Sequence, residues 1–582
     1  MNVLGLSFGY HDSAAALVGN TGILAAAEEE RFSRKKHDNG FPTSAIDYCL
    51  SAGGLTAPEL DVVVYYENTA LKWDRIVSSY VEELEQHPEY LERVISSWIF
   101  HDKFDPEDAI ARYLGLPMSR VCSIEHHQSH AASAYYCSPF SGAAVVTMDG
   151  VGEYETTTIS HGERGGLTKL TSQSFPHSLG LLYSAITAFL GFEVNEGEYK
   201  VMGMAGFGEP NYQDAFSNLL RLKPGGEFEI DPSYFEFNCP QKFPFNQRLR
   251  ALLGNPREPG SHFSFASEGH PDLDDQRYAD IAASLQKCTE DAVLHISAAA
   301  LTKTGEKDLC FAGGVGLNSL ANARVKKELN CNLFVQPAAG DGGAALGAAL
   351  HWRAENTSSS IVPLRSVHLG KEYDPGEVEL ALHKYDVPYT QYDTQADLVS
   401  LVASQLAGGF VVGWLQGPFE WGPRALGNRS ILANPADPDM QEIVNTKIKF
   451  RERFRPFAPS ILAERAHEYF DIPDDLSECS PEEFMLSVVP VREAQRSKLP
   501  AITHVDGTAR LHLVRWDVNS LFYDLIAAID RQTGVPIVLN TSFNMQGEAM
   551  VNTPYDALET FSWSGLDFLV MGNFVVSKGD MT

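Results

Sequence analysis

The chain has 582 residues, of which 44% are hydrophobic and 21% charged, and its formal net charge is -31. Its length predicts two or more domains, because one hydrophobic core rarely serves more than about 250 residues. The strong negative charge argues against binding to nucleic acids or to acidic membrane surfaces, so small molecules are the expected partners.

The cysteines and the N-terminal sequence indicate a reducing compartment. The eight cysteines are scattered, with no close pair that would indicate a disulfide framework. The first residues lack the basic start and long apolar run of a signal peptide. Uninterrupted apolar stretches stay below about 18 residues, the length that a membrane span requires. We therefore expect a cytoplasmic protein with no membrane span.

Two similar groups of strands are predicted in the first part of the chain. Residues 2–8, 14–18 and 23–30 are apolar segments separated by turn-like sequences. The same rhythm returns at 143–160, where AAVVTMDG is followed by the β-branched segment YETTTIS. The repetition favours a duplicated α/β core, the construction used by actin-like and sugar-kinase-like ATPases.

Further along the chain, apolar residues at helical spacing predict a long helix over 273–304. The strand DLCFAGG, a helix near Leu320, the strand NLFVQP and a helix of small residues after AAGDGG follow it. The polar run ENTSSS at 355–360 is typical of a domain boundary. We therefore predict domains at 1–355 and 361–582, the second also α/β, with strands at FVVGWL and PIVLNT.

Two histidines and two aspartates are candidate metal ligands. His126 and His130 are four residues apart before an Ala-rich stretch, so a helix would place both imidazoles on one face. Asp149 and Asp341 lie at a strand end and in a Gly-flanked loop. Such a set favours Fe, Mn or Zn over Ca or Mg. Alternatively, the histidines bond to each other or lie at the surface, Asp149 starts a turn and Asp341 caps a helix.

Two other patterns are candidate anion sites. The glycines in FAGGVGLNS and MDGVGEY could bring backbone N–H groups close to a phosphate, or could simply form tight turns. A run of alternating cations indicates a polyanionic ligand, because on a strand these side chains would share one side; the alternative is a solvated basic surface. The run consists of Lys447, Lys449, Arg451, Arg453 and Arg455. Ser542 and Asn544, after the buried strand VLNT, could orient a phosphate or a carbamoyl amide, or be satisfied turn residues.

Ten motifs, in order along nearly the whole chain, resemble those of the NodU/CmcH carbamoyltransferase family. The motifs are HDSAAAL, EEERFSRKKH, EHHQSHAASAYY, VVTMDGVGE, GEYKVMGMAG, FAGGVGLN, GPRALGNRS, KFRERFRPFAPS, HVDGTAR and LNTSFN. The resemblance implies an N-terminal domain of the actin-like ATPase superfamily (ASKHA, threonylcarbamoyltransferase-like) and a C-terminal YrdC-like α/β domain. It also implies that ATP and carbamoyl phosphate form carbamoyladenylate in the C-terminal domain. The N-terminal domain would then pass the carbamoyl group to a hydroxyl of a small natural product, such as an antibiotic or another secondary metabolite.

The resemblance also assigns roles to individual residues. It places a metal, Fe(II) with Mn or Zn as alternatives, on His126, His130, Asp149 and Asp341, while Mg could accompany ATP. It makes His11 the general base, a role that suits a histidine with an unperturbed pKa, and places Lys36 near the transferred group. The residues implied to bind the nucleotide and phosphates are Gly313, Gly314, Asn318, Arg424, Lys449, Arg451, Arg510, Ser542 and Asn544.

Two other functions are compatible with parts of the sequence. A small-molecule kinase of the actin-like superfamily would need the glycine loop but neither the histidine pair nor the basic run. A tRNA threonylcarbamoyl-type modification factor would need an extended basic surface, which the net charge disfavours. The expected partners are thus a hydroxylated small molecule, ATP and carbamoyl phosphate, and a homo-oligomer is compatible with this interpretation.

Overall fold

The computed structural model describes residues 1–80, 88–100, 103–164, 166–237, 243–261, 263, 273–357, 363–452, 454–473 and 476–581. Its strands are β1 Val3–Ser7, β2 Ala14–Gly19, β3 Gly22–Glu28, β4 Val62–Tyr65, β5 Val121–Ser123, β6 Ala143–Met148, β7 Glu155–Glu163, β8 Gly166–Ser174, β9 Leu220–Leu222, β10 Phe228–Ile230, β11 Asp308–Ala312, β12 Asn332–Val335, β13 Thr390–Gln391, β14 Val412–Leu415, β15 Arg429–Ala433, β16 Ala458–Leu462, β17 Val488–Pro490, β18 Thr508–Arg510, β19 His512–Val514, β20 Ile537–Ser542, β21 Phe568–Met571 and β22 Phe574–Ser577.

The α-helices are α1 Glu30–Ser33, α2 Thr43–Ala52, α3 Thr69–Tyr80, α4 Pro88–Phe100, α5 Pro106–Leu114, α6 His126–Tyr135, α7 Leu179–Phe189, α8 Glu198–Ala205, α9 Gln213–Leu219, α10 Gln247–Leu253, α11 Leu273–Thr304, α12 Ser319–Leu329, α13 Asp341–Asn356, α14 Pro375–Lys384, α15 Gln395–Ala407, α16 Met440–Ile443, α17 Glu493–Arg496, α18 Ser520–Thr533 and α19 Pro554–Trp563. The long helix predicted over 273–304 is thus confirmed as α11. Within the described residues, none of these helices combines the length and apolar character that a membrane span requires.

The chain divides into two compact units. Unit 1 consists of Met1–Leu24 and Asn39–Pro363, and unit 2 of Ala25–Asp38 and Leu364–Thr582. This division differs from the predicted domains 1–355 and 361–582 in two respects. The boundary lies at Pro363, and the segment Ala25–Asp38, expected in the first domain, belongs to unit 2. The run at 355–360 lies partly outside the described residues.

The core of unit 1 is built from two five-stranded sheets with the same topology. Their strand orders are β3-β2-β1-β4-β5 and β8-β7-β6-β11-β12. In each, the central strand pairs antiparallel with the next strand in sequence and parallel with a later strand on its other side. The predicted duplicated α/β core is therefore confirmed.

A helix of small residues holds this core together. In α13, Gly347 lies so close to α6 that a Cβ on it would be 1.8 Å from the carbonyl oxygen of Ser129. On β1, a Cβ on Gly5 would be 1.8 Å from the carbonyl oxygen of Ala345, also in α13. Because only glycine allows such close approach of two backbones, these positions set how α13 packs on α6 and β1.

Unit 2 is built on a mixed sheet of eight strands in the order β13-β22-β21-β14-β15-β20-β16-β19. Alternate side chains of its strands enter two separate apolar clusters, as the period of a strand requires. On β20, for example, Ile537 and Leu539 belong to one cluster and Val538 to the other. The sheet is therefore buried on both faces, and the predicted α/β character of this half is confirmed.

The basic run does not form the strand that would align its cations. Residues Val444–Ile448 form one turn of π-helix after α16, and Lys449 ends that turn in a helical conformation. Phe450, which follows it, has a positive φ of 50°. The expectation that Lys447, Lys449 and Arg451 share one side of a strand is therefore wrong. Arg453 lies outside the described residues.

Candidate functional site

The two histidines predicted to bind a metal lie in the first two turns of α6. Both are buried, and their Nε2 atoms are 3.1 Å apart. The carboxylate of Glu153 accepts a hydrogen bond from the backbone N–H of His126 at 3.0 Å and another from Asn68 at 2.6 Å. Since Glu125, the residue before the helix, makes no capping bond with its side chain, Glu153 performs that function from a distant segment. It thereby fixes the end of the helix that carries both imidazoles.

Asp149 follows β6 and is oriented by the glycine loop after β11. One carboxylate oxygen accepts a hydrogen bond from the N–H of Gly314 at 2.9 Å, while the other lies 3.1 Å from Nε2 of His126. The preceding Gly313 has a φ of +87°, and a Cβ there would lie 2.2 Å from the carbonyl oxygen of Met148. The loop thus requires glycine, and it directs Asp149 towards the histidines.

Asp341 completes the cluster as the first residue of α13. Its Oδ1 lies 3.5 Å from Nε2 of His130 and 3.7 Å from Nε2 of His126. The hydroxyl of Tyr66 donates a hydrogen bond to its Oδ2 at 3.4 Å. The close packing of α13 on α6 brings this carboxylate to the histidines, although Asp341 is more than two hundred positions away from both of them in sequence.

The charges in this cluster interact strongly. Burial by itself would lower the pKa of His130, but hydrogen bonds to Asp149 and Asp341 outweigh it and raise the pKa to about 9. Burial would raise the pKa of both carboxyls, but the neighbouring histidines keep the pKa of Asp149 well below, and that of Asp341 below, its ordinary value. The site therefore holds two carboxylates whose negative charge requires a positive partner.

The four side chains fit a divalent transition metal. One ligand atom from each of His126, His130, Asp149 and Asp341 lies within 4.8 Å of the others. Oδ1 of Asp341 is buried and lies 3.5 and 3.7 Å from the Nε2 atoms of His130 and His126, so one cation could contact all three atoms. Two imidazole nitrogens and two carboxylate oxygens are the donors that Fe, Mn and Zn accept.

His11 lies beside this cluster, in the loop after β1. Its Nδ1 is 3.0 Å from Asp12, and its Nε2 is 3.8 Å from Asp341. Burial would lower the pKa of His11, but the charges of Asp341 and Asp12 raise it to about 9. These carboxylates thus place the pKa of His11 above the near-neutral range that suits a general base. A role as a base requires another positive charge to neutralise them.

Asn318 has a structural function at the start of α12. Its side-chain oxygen accepts a hydrogen bond from the N–H of Ala321 at 3.1 Å. Its amide also exchanges two hydrogen bonds of 3.0 Å with the amide of Gln286. The side chain is therefore engaged within the protein, so a contact with a nucleotide remains a prediction for this residue, as it does for Gly313 and Gly314.

In unit 2, Lys449 contacts Ser542 and Asn544, all three of which the family resemblance implies to bind the nucleotide and phosphates. The buried ammonium group donates to the backbone and hydroxyl oxygens of Ser542, and to the backbone and side-chain oxygens of Asn544 at 2.9 and 2.6 Å. The Ser542 hydroxyl also donates to the Asn544 side chain at 2.7 Å. Because all of these hydrogen-bond partners are neutral, none of them supplies a counter-charge to the ammonium group.

Arginines surround this lysine and add to its charge. Burial, followed by the charges of Arg451 and Arg455, lowers the pKa of Lys449 well below its usual value. Burial, followed by the charges of Arg424, Arg451 and Arg455, does the same to the pKa of Arg510. We call these residues the basic cluster: Arg424, Lys449, Arg451, Arg455 and Arg510. Lys449 and Arg455 are buried and the other three are half-buried, and such a group of neighbouring cations indicates a binding site for a polyanion.

Four contributors to these sites escaped the sequence analysis. Glu153 and Tyr66 act in unit 1, while Asn445 accepts a hydrogen bond of 2.6 Å from Arg451 in unit 2. Arg455 was noted in the basic run but not as a site residue. The motif MDGVGE contains Glu153, which was the available signal, but neither Tyr66 nor Asn445 has a distinctive sequence context. Lys36 lies in the segment Ala25–Asp38 of unit 2, and its charge contributes to the low pKa of Lys449.

Comparison with known proteins identifies the family. The carbamoyltransferase N-terminus family matches residues 2–350, and the carbamoyltransferase C-terminus family matches residues 403–578. The chain belongs to the carbamoyltransferases. The resemblance to the NodU/CmcH family is thereby confirmed, and transferase activity follows from it.

This carbamoyltransferase has relatives that match it over most of their length. It is 41% identical to an uncharacterized protein of Synechocystis, covering 99% of this chain and 97% of that protein. It is 36% identical to the nodulation protein NolNO of Sinorhizobium fredii, covering 98% of this chain and 79% of that protein. Among solved structures, component A of a 2-hydroxyglutaryl-CoA dehydratase from Acidaminococcus fermentans is similar to 61% of the chain, with 99% of its own length covered, a TM-score of 0.33 and 13% identity.

Proposed function

We propose that this carbamoyltransferase is an ATP-dependent O-carbamoyltransferase that forms carbamoyladenylate and transfers its carbamoyl group to a hydroxyl of a small natural product. In the first step, water cleaves carbamoyl phosphate to carbamate and orthophosphate. The carbamate oxygen then attacks the α-phosphorus of ATP, and the bond to pyrophosphate breaks. In the second step, the acceptor hydroxyl attacks the carbamoyl carbon, AMP leaves, and the hydroxyl proton passes to a base.

The observation that carries this proposal is the basic cluster around Lys449. Carbamoyl phosphate and ATP together bring more negative charge than a single phosphate group. A buried lysine whose hydrogen-bond partners are neutral, next to several arginines, could bind the phosphate groups of such substrates. The carboxamide of Asn544 and the hydroxyl of Ser542 add neutral hydrogen-bonding groups that could orient a carbamoyl amide.

The metal cluster of unit 1 suits the transfer step. Two carboxylates and two imidazoles would hold Fe(II), with Mn or Zn as alternatives, and a bound metal would act there as a Lewis acid that neutralises phosphate charge. Asp341 belongs to the metal cluster and also lies 3.8 Å from Nε2 of His11. Binding of a cation at Asp341 would therefore lower the pKa of His11 towards the range of a general base.

The kinase alternative is less well supported. A small-molecule kinase would need the glycine loop of unit 1 but not the group of two histidines and two aspartates beside it. A kinase would also have no use for a second polyanion site in unit 2. A tRNA modification factor is disfavoured by the net charge of -31.

The proposal is tested with purified protein, Fe(II), ATP and carbamoyl phosphate under anaerobic conditions and without an acceptor. We expect pyrophosphate and carbamoyladenylate to form, and to depend on carbamoyl phosphate. Controls omit carbamoyl phosphate or replace ATP with its α,β-methylene analogue, in which the bond to pyrophosphate is not cleaved. The absence of both products from the complete mixture would contradict the proposal.

A further inference from the structure

A segment from the N-terminal part of the chain is built into unit 2. We call Ala25–Asp38 the strap. At its start, the side chain of Glu28 accepts a hydrogen bond from the N–H of Gly422 at 2.7 Å, and Arg31 donates to the carbonyl oxygen of the same glycine at 2.7 Å. Both side chains are buried, which makes this anchor firm. Gly422 lies two residues before Arg424 of the basic cluster.

At its other end, the strap is attached to the loop that follows β20. The guanidinium of Arg34 donates a hydrogen bond to the carbonyl oxygen of Met550 at 2.6 Å. It also lies 3.9 Å from the carboxylate of Glu548 and 3.7 Å from that of Asp556. One side chain of the strap thus joins three positions in residues 548–556.

This loop holds the partner of Lys449. The backbone oxygen of Glu548 accepts a hydrogen bond of 2.7 Å from the side-chain amide of Asn544. The other end of that amide, its oxygen, accepts from Lys449 at 2.6 Å. The loop is closed by a backbone hydrogen bond of 2.8 Å from Val551 to Phe543. Arg34 therefore contacts the loop next to the group that sets the orientation of the Asn544 amide.

The backbone of the strap adopts an unfavourable conformation at this point. Arg34 has a φ of 61° and a ψ of 6°, in the left-handed region that favours glycine. His37 also has a positive φ, of 52°. A glycine at position 34 would adopt this conformation at less cost, so the arginine is suited to its place by its side chain rather than by its backbone.

We propose that Arg34 is a positioning residue of the basic cluster, which fixes the loop 543–551 and thereby orients the amide of Asn544 beside Lys449. The inference rests on the proposed function for the identity of the reaction. The anion-binding role of the cluster can be measured separately. The strap thus contributes to the structure of the anion site, although it lies in the N-terminal half of the sequence.

The test compares R34G and R34K with the unchanged full-length protein. R34G removes the side chain and suits the left-handed backbone, so the melting temperature should stay within a few degrees. The matched control is R365A, since Arg365 is 65% exposed and pairs with Glu478 on the surface of unit 2. For each variant we would measure the Kd of inorganic pyrophosphate by calorimetry, and kcat and KM for carbamoyladenylate formation.

We expect R34G to weaken pyrophosphate binding and to raise the KM for carbamoyl phosphate, each about tenfold or more, as for the loss of a charged hydrogen bond. R34K should lose less, and R365A should match the unchanged protein. Wild-type values of both Kd and KM in R34G would overturn the proposal. So would a loss of binding and activity that is fully explained by a smaller fraction of folded protein. If the unchanged protein binds pyrophosphate but forms no carbamoyladenylate, the proposed function fails, while the Kd values still decide the role of Arg34.

Discussion

Replacing Lys449 with methionine tests the basic cluster most directly. Methionine keeps much of the length and apolar volume of the side chain but removes the ammonium group. That group donates to four oxygens of Ser542 and Asn544, of which the two backbone oxygens lie 93 and 95 positions away in sequence. The variant therefore separates the charge of Lys449 from its packing.

The change should affect catalysis far more than folding. Hydrogen bonds to a charged donor contribute about 1.5–3 kcal/mol each, so their loss destabilises the loop after β20. The same substitution removes the repulsion between Lys449 and the arginines Arg451 and Arg455, which lowers its pKa in the folded protein. Since these contributions oppose each other, we expect a net change in the free energy of unfolding of about 1–2 kcal/mol.

No such compensation exists for the substrates. The loss of a buried positive group that faces developing negative charge costs about a hundredfold to a thousandfold in rate. The assay is pyrophosphate release that depends on carbamoyl phosphate, measured without an acceptor, with thermal unfolding recorded in parallel. K498M is the control, because Lys498 is an exposed lysine of the same unit. A folded K449M protein that retains a tenth or more of the wild-type rate would refute this reasoning.

Three other predictions concern unit 1. H130A should lower the affinity for Fe(II) by roughly a hundredfold or more, because one of four ligands is lost, while pyrophosphate formation in unit 2 continues. G347A should lower the free energy of unfolding by about 1–3 kcal/mol or more, because its Cβ would lie 1.8 Å from the carbonyl oxygen of Ser129. The melting temperature and the affinity for the metal should both fall as a result. In metal-free protein, the pKa of His11 and that of His130 are both raised to about 9, because the protonated imidazoles interact favourably with the carboxylates. This stabilisation is complete at pH values below about 6.5, the pKa of histidine in the unfolded chain. Chemical unfolding should therefore show a loss of up to about 3 kcal/mol per histidine as the pH rises from 6.5 through 9.

Each of these has a control and a contrary result. The control for H130A is H161A, which replaces a histidine that pairs with Glu306 and should bind Fe(II) as the wild type does. An affinity of H130A for Fe(II) equal to that of the wild type would show that His130 is not a metal ligand. For G347A the control is G408A, whose Cβ would have its nearest neighbour at 3.3 Å, and an unchanged melting temperature in G347A would disprove the close packing. A free energy of unfolding that is constant from pH 6.5 to 9 would contradict the charge pairing of the histidines.

Local sequence predicted the elements of the metal cluster well. The spacing of His126 and His130 placed them on one face of a helix, and the helix is α6. The apolar strand that precedes Asp149 and the small-residue helix of Asp341 were also predicted, as β6 and α13. These elements could be predicted because they depend on residues close to each other in sequence, and the spacing of apolar residues can be read from the sequence alone.

Sequence determined the duplicated α/β core, the basic run and the family resemblance, and these needed no knowledge of packing. Tertiary structure alone decided that Asp149 and Asp341 meet the two histidines, that the strap joins unit 2, and that the basic run begins in a π-helical turn instead of forming a strand. It also decided the pKa of His11, because that depends on Asp341, a residue more than three hundred positions away. The reason is physical: periodicity is a local property, whereas electrostatic interactions and backbone approach depend on distances that only the folded chain sets.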